Sequence, residues 1–246
     1  MLLNGGMMSG FAWGPIAKDL AKDFRVIRLD FRGQLMSPSD APPADLSGHA
    51  RDVVSVLDRA GVERAHVVGT SFGALVGLVL AAEHPERVRS LVAMTATARL
   101  SPEMVAGTKH LRTLARDALN GGDGGKVLDT IVPTTYSPEW VAANQAVLAA
   151  RRPQVAALPK AWYSGLDALL GALEIAEPFR VLEKIHCTTT VVAGEKDVTF
   201  PLPNSQELVR GIAGSKLVVI PNAPHGLALE NPAESIAAIR QHLAAL

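Results

Sequence analysis

One short stretch constrains this chain more than any other: residues 64–84, RAHVVGTSFGALVGLVLAAEH. Residues 65–69 are mostly apolar and β-branched, as suits a strand buried on both faces, and residues 72–82 suit a buried helix. Gly69-Thr70-Ser71-Phe72-Gly73 joins them, so the chain has to turn sharply at Ser71. Strand and helix can close on each other there only if the residues two before and two after the turn lack bulk, and Gly69 and Gly73 meet that need. A serine held at such a junction is a candidate nucleophile, with a chance Gly-x-Ser-x-Gly turn as the alternative.

The rest of the chain alternates strand and helix around this unit. Residues 1–4 read as the end of a strand, residues 13–23 as a helix, RVIRLD at 25–30 as a strand, and residues 50–60 as a helix with Val53, Val54 and Leu57 on one face. Residues 88–95 form a further strand. Strand 188–193, helix 203–212, strand 217–220 and helix 234–243 close the chain. This alternation predicts an α/β fold with a mostly parallel open sheet of about six strands and helices on both faces.

Between residues 98 and 183 the alternation stops. Ser101-Pro102-Glu103 and Ser137-Pro138-Glu139 each supply a serine cap, a proline in the first turn and an acid, so this stretch is predicted to be a helical insertion. Core residues 1–97 and 184–246 would then flank a cap at 98–183. NGGDGG at 120–125 reads as a joint, and Arg151-Arg152-Pro153 as the end of the second helix. NGGDGGKV departs from a phosphate-binding loop at Asn120 and Val127, which argues against nucleotide binding there.

In a parallel sheet the loops at the carboxyl ends of strands gather on one edge, where ligands bind. Ser71, Asp197 in GEKD and His225 in PNAPHG all follow predicted strands on that edge. A serine hydroxyl needs a base to take its proton, and a histidine base needs an acid to hold its tautomer and its cation. His225 and Asp197 fill these roles; the other six histidines lie in or beside helices, within a strand or in the insertion. Backbone NH groups of Phe72 and of Gly6 are the candidate oxyanion donors. Met7, Leu227 and Trp162 are candidate substrate contacts, with ordinary packing as the alternative for each.

These residues resemble the α/β-hydrolase superfamily, through LLNGGM at the first strand, LDFRG at 29–33, GTSFGA around Ser71, HPERV at 84–88, GEKD and PHG. The resemblance is strongest to cofactor-free esterases, enol-lactonases and perhydrolase-like enzymes with a helical cap. It implies an α/β-hydrolase fold, Ser71, Asp197 and His225 as the triad, and Gly6 with Phe72 as the oxyanion hole. Two positions depart from the family pattern. Asn4 stands where many relatives carry His, and Gln34-Leu35 stands where His-Gly is usual. The chain also starts at what would be the family's third strand, so the first two family strands are expected to be absent and RVIRLD to lie near an exposed edge. Pairing of two copies through that edge, or a missing natural N-terminal segment, would follow.

The implied activity is hydrolysis of a small-molecule ester or lactone through an acyl-enzyme, without cofactor or metal. Carbon–carbon bond hydrolysis of a diketone on the same triad stays open, as does a non-catalytic ligand-binding protein on this fold. Composition narrows the partners. With 24 basic and 24 acidic residues the chain carries no basic footprint for nucleic acid and no charged face for membranes. Its single cysteine, Cys187, rules out an internal disulfide, and a secretory leader is lacking, so a cytoplasmic protein is expected.

Overall fold

The computed structural model describes residues 1–246. Its strands are β1 (Leu2–Leu3), β2 (Arg28–Leu29), β3 (Ala65–Thr70), β4 (Val88–Met94), β5 (Thr188–Gly194) and β6 (Lys216–Ile220). They form one sheet in the order β2-β1-β3-β4-β5-β6, and every neighbouring pair is parallel. β2 therefore stands at an edge. It is shorter than RVIRLD suggests, because its only partner, β1, offers just Leu2 and Leu3 for pairing.

Alternate residues of each strand face opposite sides of the sheet, and the core divides accordingly. On one side Leu3, Val67, Leu91, Ala93 and Val191 join a cluster of 30 buried residues. That cluster includes much of the helix after β2 and of the helix after β3. On the other side Leu2, Val68, Val92, Met94 and Val192 join a cluster of 15 with Trp13, Ile16 and Ile239. The helices concerned are α1 (Gly14–Leu20), α2 (Leu46–Arg59) and α3 (Phe72–Glu83). α2 begins before the expected residue 50 because Asp45 caps it, its Oδ1 accepting from Gly48 N at 2.7 Å.

Between β4 and β5 lie α4 (Pro102–Leu119), α5 (Gly125–Thr135), α6 (Pro138–Ala143), α7 (Gln145–Ala156) and α8 (Lys160–Glu174). Both predicted caps form: Ser101 Oγ accepts from Met104 N at 3.3 Å and Ser137 Oγ from Trp140 N at 3.1 Å. The insertion has a small core of its own, with Ala115, Ala118, Val127, Tyr163, Leu166 and Leu170 packed together. α8 also reaches the main core through Leu169 and Ala172. Arg112 ties α4 to α8 by donating to Asp167 at 2.8 Å and pairing with Glu174.

One boundary needs correcting. Pro153 does not end the helix begun at Ser137; that helix stops at Ala143, and Pro153 lies inside α7. No residue of α7 is buried, so the carbonyl that loses its proline-blocked partner stays open to solvent. The chain closes with α9 (Leu202–Gly211), α10 (Leu227–Glu230) and α11 (Pro232–Ala244). No helix is long and apolar enough to cross a membrane.

Candidate active site

Because the six strands run in one direction, the loops leaving β1, β3, β5 and β6 emerge on the same edge of the sheet. Ser71 leaves β3 with φ 51° and ψ −122°, a left-handed conformation that a non-glycine residue holds at a cost of about 1–3 kcal/mol. Close backbone approach explains how it is held. A Cβ on Gly69 would lie 2.6 Å from Gly73 C, and one on Gly73 would lie 2.5 Å from Asn4 O. Beneath the turn, Ser71 N donates to Met94 O at 2.9 Å and the Thr70 and Thr95 hydroxyls pair at 3.0 Å.

The three predicted side chains meet. His225 Nε2 lies 3.0 Å from Ser71 Oγ, and His225 Nδ1 lies 2.8 Å from Asp197 Oδ2. An ionised carboxylate only accepts, so the proton of a neutral imidazole sits on Nδ1, leaving Nε2 to accept the serine hydroxyl. The second carboxylate oxygen, Asp197 Oδ1, accepts from Thr199 N at 2.9 Å and Phe200 N at 2.8 Å. Phe200 closes the stack from the side, edge-on to His225 with ring centroids 5.2 Å apart. The Asp197 side chain is 1% exposed and that of His225 9%, so this pair works largely out of water.

Phe72 N begins α3, where the first amides have no intrahelical acceptor and the helix dipole favours negative charge. Gly6 lies beside it: a Cβ built there would be 4.0 Å from Phe72 Cβ and 3.2 Å from Leu169 Cδ2 of α8. Gly6 thus lies next to Phe72, the residue that follows Ser71. The Phe72 ring takes no part, being packed edge-on against Phe31 at 5.5 Å and His49 at 5.1 Å. Burial lowers the pKa of His49 to about 4, so it is a neutral core residue.

The candidate substrate contacts fare unequally. Met7 leaves the β1 loop and packs half-buried against the small core of the insertion, as does Trp162, whose ring meets Tyr163 edge-on at 5.0 Å. Leu227 needs correcting: it is 0% exposed and belongs to the core cluster with Trp13 and Ile239, so it cannot wall an open pocket. Its neighbour His225 faces the serine, but the short α10 turns Leu227 toward the sheet.

Sequence patterns did not signal the contacts that tie the insertion to this site. At the end of α5, Thr134 O accepts from Thr199 Oγ1 at 2.9 Å and Thr135 O accepts from Gly226 N at 2.7 Å. Ser137 N then donates to Glu230 of α10 at 3.0 Å. One helix end thereby holds both the acid loop and the base loop. Tyr136, stacked on Trp140 at 4.0 Å, lies against Gly226, and its burial raises the phenol pKa.

A model of the alpha/beta hydrolase family matches residues 1–239. A protein of Azorhizobium caulinodans named "Putative carbamate hydrolase RutD" is 31% identical over 94% of this chain and 86% of its own length. An alpha/beta hydrolase enzyme, MGS-M2, from a Medee basin deep-sea metagenome library superposes with a TM-score of 0.91, at 22% identity, over 99% of this chain and 88% of its own. The enol-lactonase from Burkholderia xenovorans LB400 superposes with a TM-score of 0.86, at 25% identity, over 99% of this chain and 90% of its own.

Proposed function

The chain belongs to the alpha/beta hydrolase family, and from that premise we propose that it is a serine hydrolase cleaving small carboxylic esters or lactones through an acyl-enzyme at Ser71. The observation that carries this reading is the unbroken chain from Ser71 Oγ through His225 to Asp197 on a strained elbow. Ser71 attacks the carbonyl while His225 Nε2 takes its proton, and Asp197 stabilises the imidazolium that results. The negative charge on the carbonyl oxygen is met by the Gly6 and Phe72 amides, each worth roughly a hundred- to thousandfold in rate. His225 then protonates the leaving alcohol. In the second half, water attacks the acyl carbon as His225 Nε2 takes its proton, and the imidazolium returns that proton to Ser71 Oγ as the acyl–oxygen bond breaks and the acid product leaves.

The likeness to the RutD protein adds carbamates to the substrates worth assaying, because a carbamate presents the same attackable carbonyl. The enol-lactonase neighbour favours lactones in the same way. The decisive experiment is labelling with a fluorophosphonate probe, with Ser71→Ala as control and the modified peptide identified by mass. Stoichiometric labelling confined to Ser71 supports the reading and justifies turnover assays on esters, lactones and carbamates. A folded protein that fails to label, or labels elsewhere, overturns it.

A further inference from the structure

The Gly5–Gly6 segment has no regular secondary structure; the Gly5 carbonyl accepts from Met8 N at 3.1 Å, and one side chain binds the carbonyls of both glycines. Gln34, 4% exposed, donates from Nε2 to Gly5 O at 2.8 Å and to Gly6 O at 3.1 Å. Its Oε1 accepts from Phe31 N at 2.9 Å and from Asn4 Nδ2 at 3.2 Å. Since a backbone amide can only donate, the atom facing Phe31 is the oxygen, and the orientation of the Gln34 amide is fixed by chemistry. Asn4 is itself held: its Oδ1 accepts from Trp13 Nε1 at 2.9 Å and its Nδ2 donates to Asp30 Oδ1 at 2.9 Å. Every donor and both acceptor sites of the Gln34 amide are in use.

A trans peptide is planar, with its C=O and N–H pointing in opposite directions. The Gly5 carbonyl and the Gly6 amide belong to one peptide group, so anchoring the carbonyl on Gln34, beside its bond from Met8 N, turns the amide to the other side. The nucleophile elbow is close by: a Cβ at Gly5 would fall 3.6 Å from Ser71 Cβ, and one at Gly6 4.0 Å from Phe72 Cβ. Two consecutive glycines make rotation of this peptide plane inexpensive, and a rotated plane would present a carbonyl oxygen to the developing oxyanion. Resting on the reading of Ser71 as nucleophile, the geometry points to Gln34 as the positioning residue that locks the Gly6 amide toward the oxyanion. Asn4 supports it from behind. Asn4 and Gln34 thus bond to each other and form one device.

The contribution belongs in kcat rather than KM, because an oxyanion donor acts mainly on charge that develops in the transition state. Gln34→Glu isolates it. One carboxylate oxygen still accepts from Phe31 N and Asn4, while the other replaces the donor and faces two carbonyl oxygens. With p-nitrophenyl acetate at pH 8, kcat should fall about tenfold or more with KM within about twofold, and affinity for a boronic-acid transition-state analogue should fall by the same factor as kcat/KM. On lowering the pH, the ratio of Gln34→Glu to wild-type kcat should rise, because a protonated carboxyl again donates to Gly5 O. Gln34→Met, which cannot donate at any pH, should lose kcat without that recovery, and circular dichroism reports whether each variant is folded. Folded Gln34→Glu or Gln34→Met with near wild-type kcat, a loss confined to KM, or equal losses for both variants at every pH would overturn the assignment while leaving Ser71 labelling intact. Failure of the wild-type protein to label or turn over would overturn the nucleophile reading, and this assignment with it.

Discussion

Ser71 keeps its strained conformation because the backbone crowds it from both sides, and this leaves Gly73 little room for change. Even a methyl group there would meet the Leu3 and Asn4 carbonyls. Gly73→Ala should destabilise the fold by about 3 kcal/mol, read from the urea midpoint, since backbone atoms cannot move aside as a flexible side chain would. Ser71→Ala and His225→Ala should each lower kcat by about a thousandfold or more and to similar extents, because two groups that act as one unit are not additive; the double variant should be little worse than either. That Ser71, Asp197 and His225 come together, with Gly6 beside Phe72, was legible from local motif and strand order. Leu227 was not, because a residue two places from a site histidine faces either the pocket or the core according to how a short helix rolls.

At the scale of elements, the insertion is attached by backbone contact rather than by loose coverage. α8 crosses the loop after β2 so closely that a Cβ on Gly165 would lie 2.6 Å from Gly33 Cα, and Gly33 itself has φ 95°. Gly165→Ala should therefore lift α8 and lower stability by about 1–3 kcal/mol in a denaturant titration. Thr199→Val removes only the bond from α5 to the acid loop, leaving the Thr199 amide on Asp197. Where α5 steadies the triad, this variant should lower kcat for p-nitrophenyl acetate by a few-fold with thermal stability nearly unchanged. The helices of the insertion could be recognised from their serine caps and prolines. The course of α7 through Pro153 could not, since whether a helix continues through a proline depends on whether the freed carbonyl finds another partner, such as solvent on the exposed α7.

For the whole molecule, two neutral histidines make stability depend on pH. Burial lowers the pKa of His49 and of His242 to about 4 from an ordinary value of 6.5. Between those values the unfolded chain binds protons that the native state excludes, so stability rises with pH across this window. It should be greatest above about pH 6.5 and fall progressively as the pH drops toward 4. Urea midpoints over that range should show the loss, and His49→Phe, which fits an aromatic ring between Phe31 and Phe72, should reduce its slope.

While the place of β2 at the sheet edge was implied by the family resemblance, the sequence by itself determined the parallel α/β alternation, the turn at Ser71 and the order in which Asp197 and His225 follow it. These rest on local chemistry: which residues suit a buried strand, where glycine is obligatory, and where a chain must cross over to stay parallel. Only the tertiary structure decided that Gln34 and Asn4 bond to each other 30 residues apart, that Thr134 and Thr135 hold both the Asp197 and the His225 loops, and that Leu227 is core. Such pairings depend on where distant loops come to rest in space, and no periodicity or spacing along the chain encodes that position.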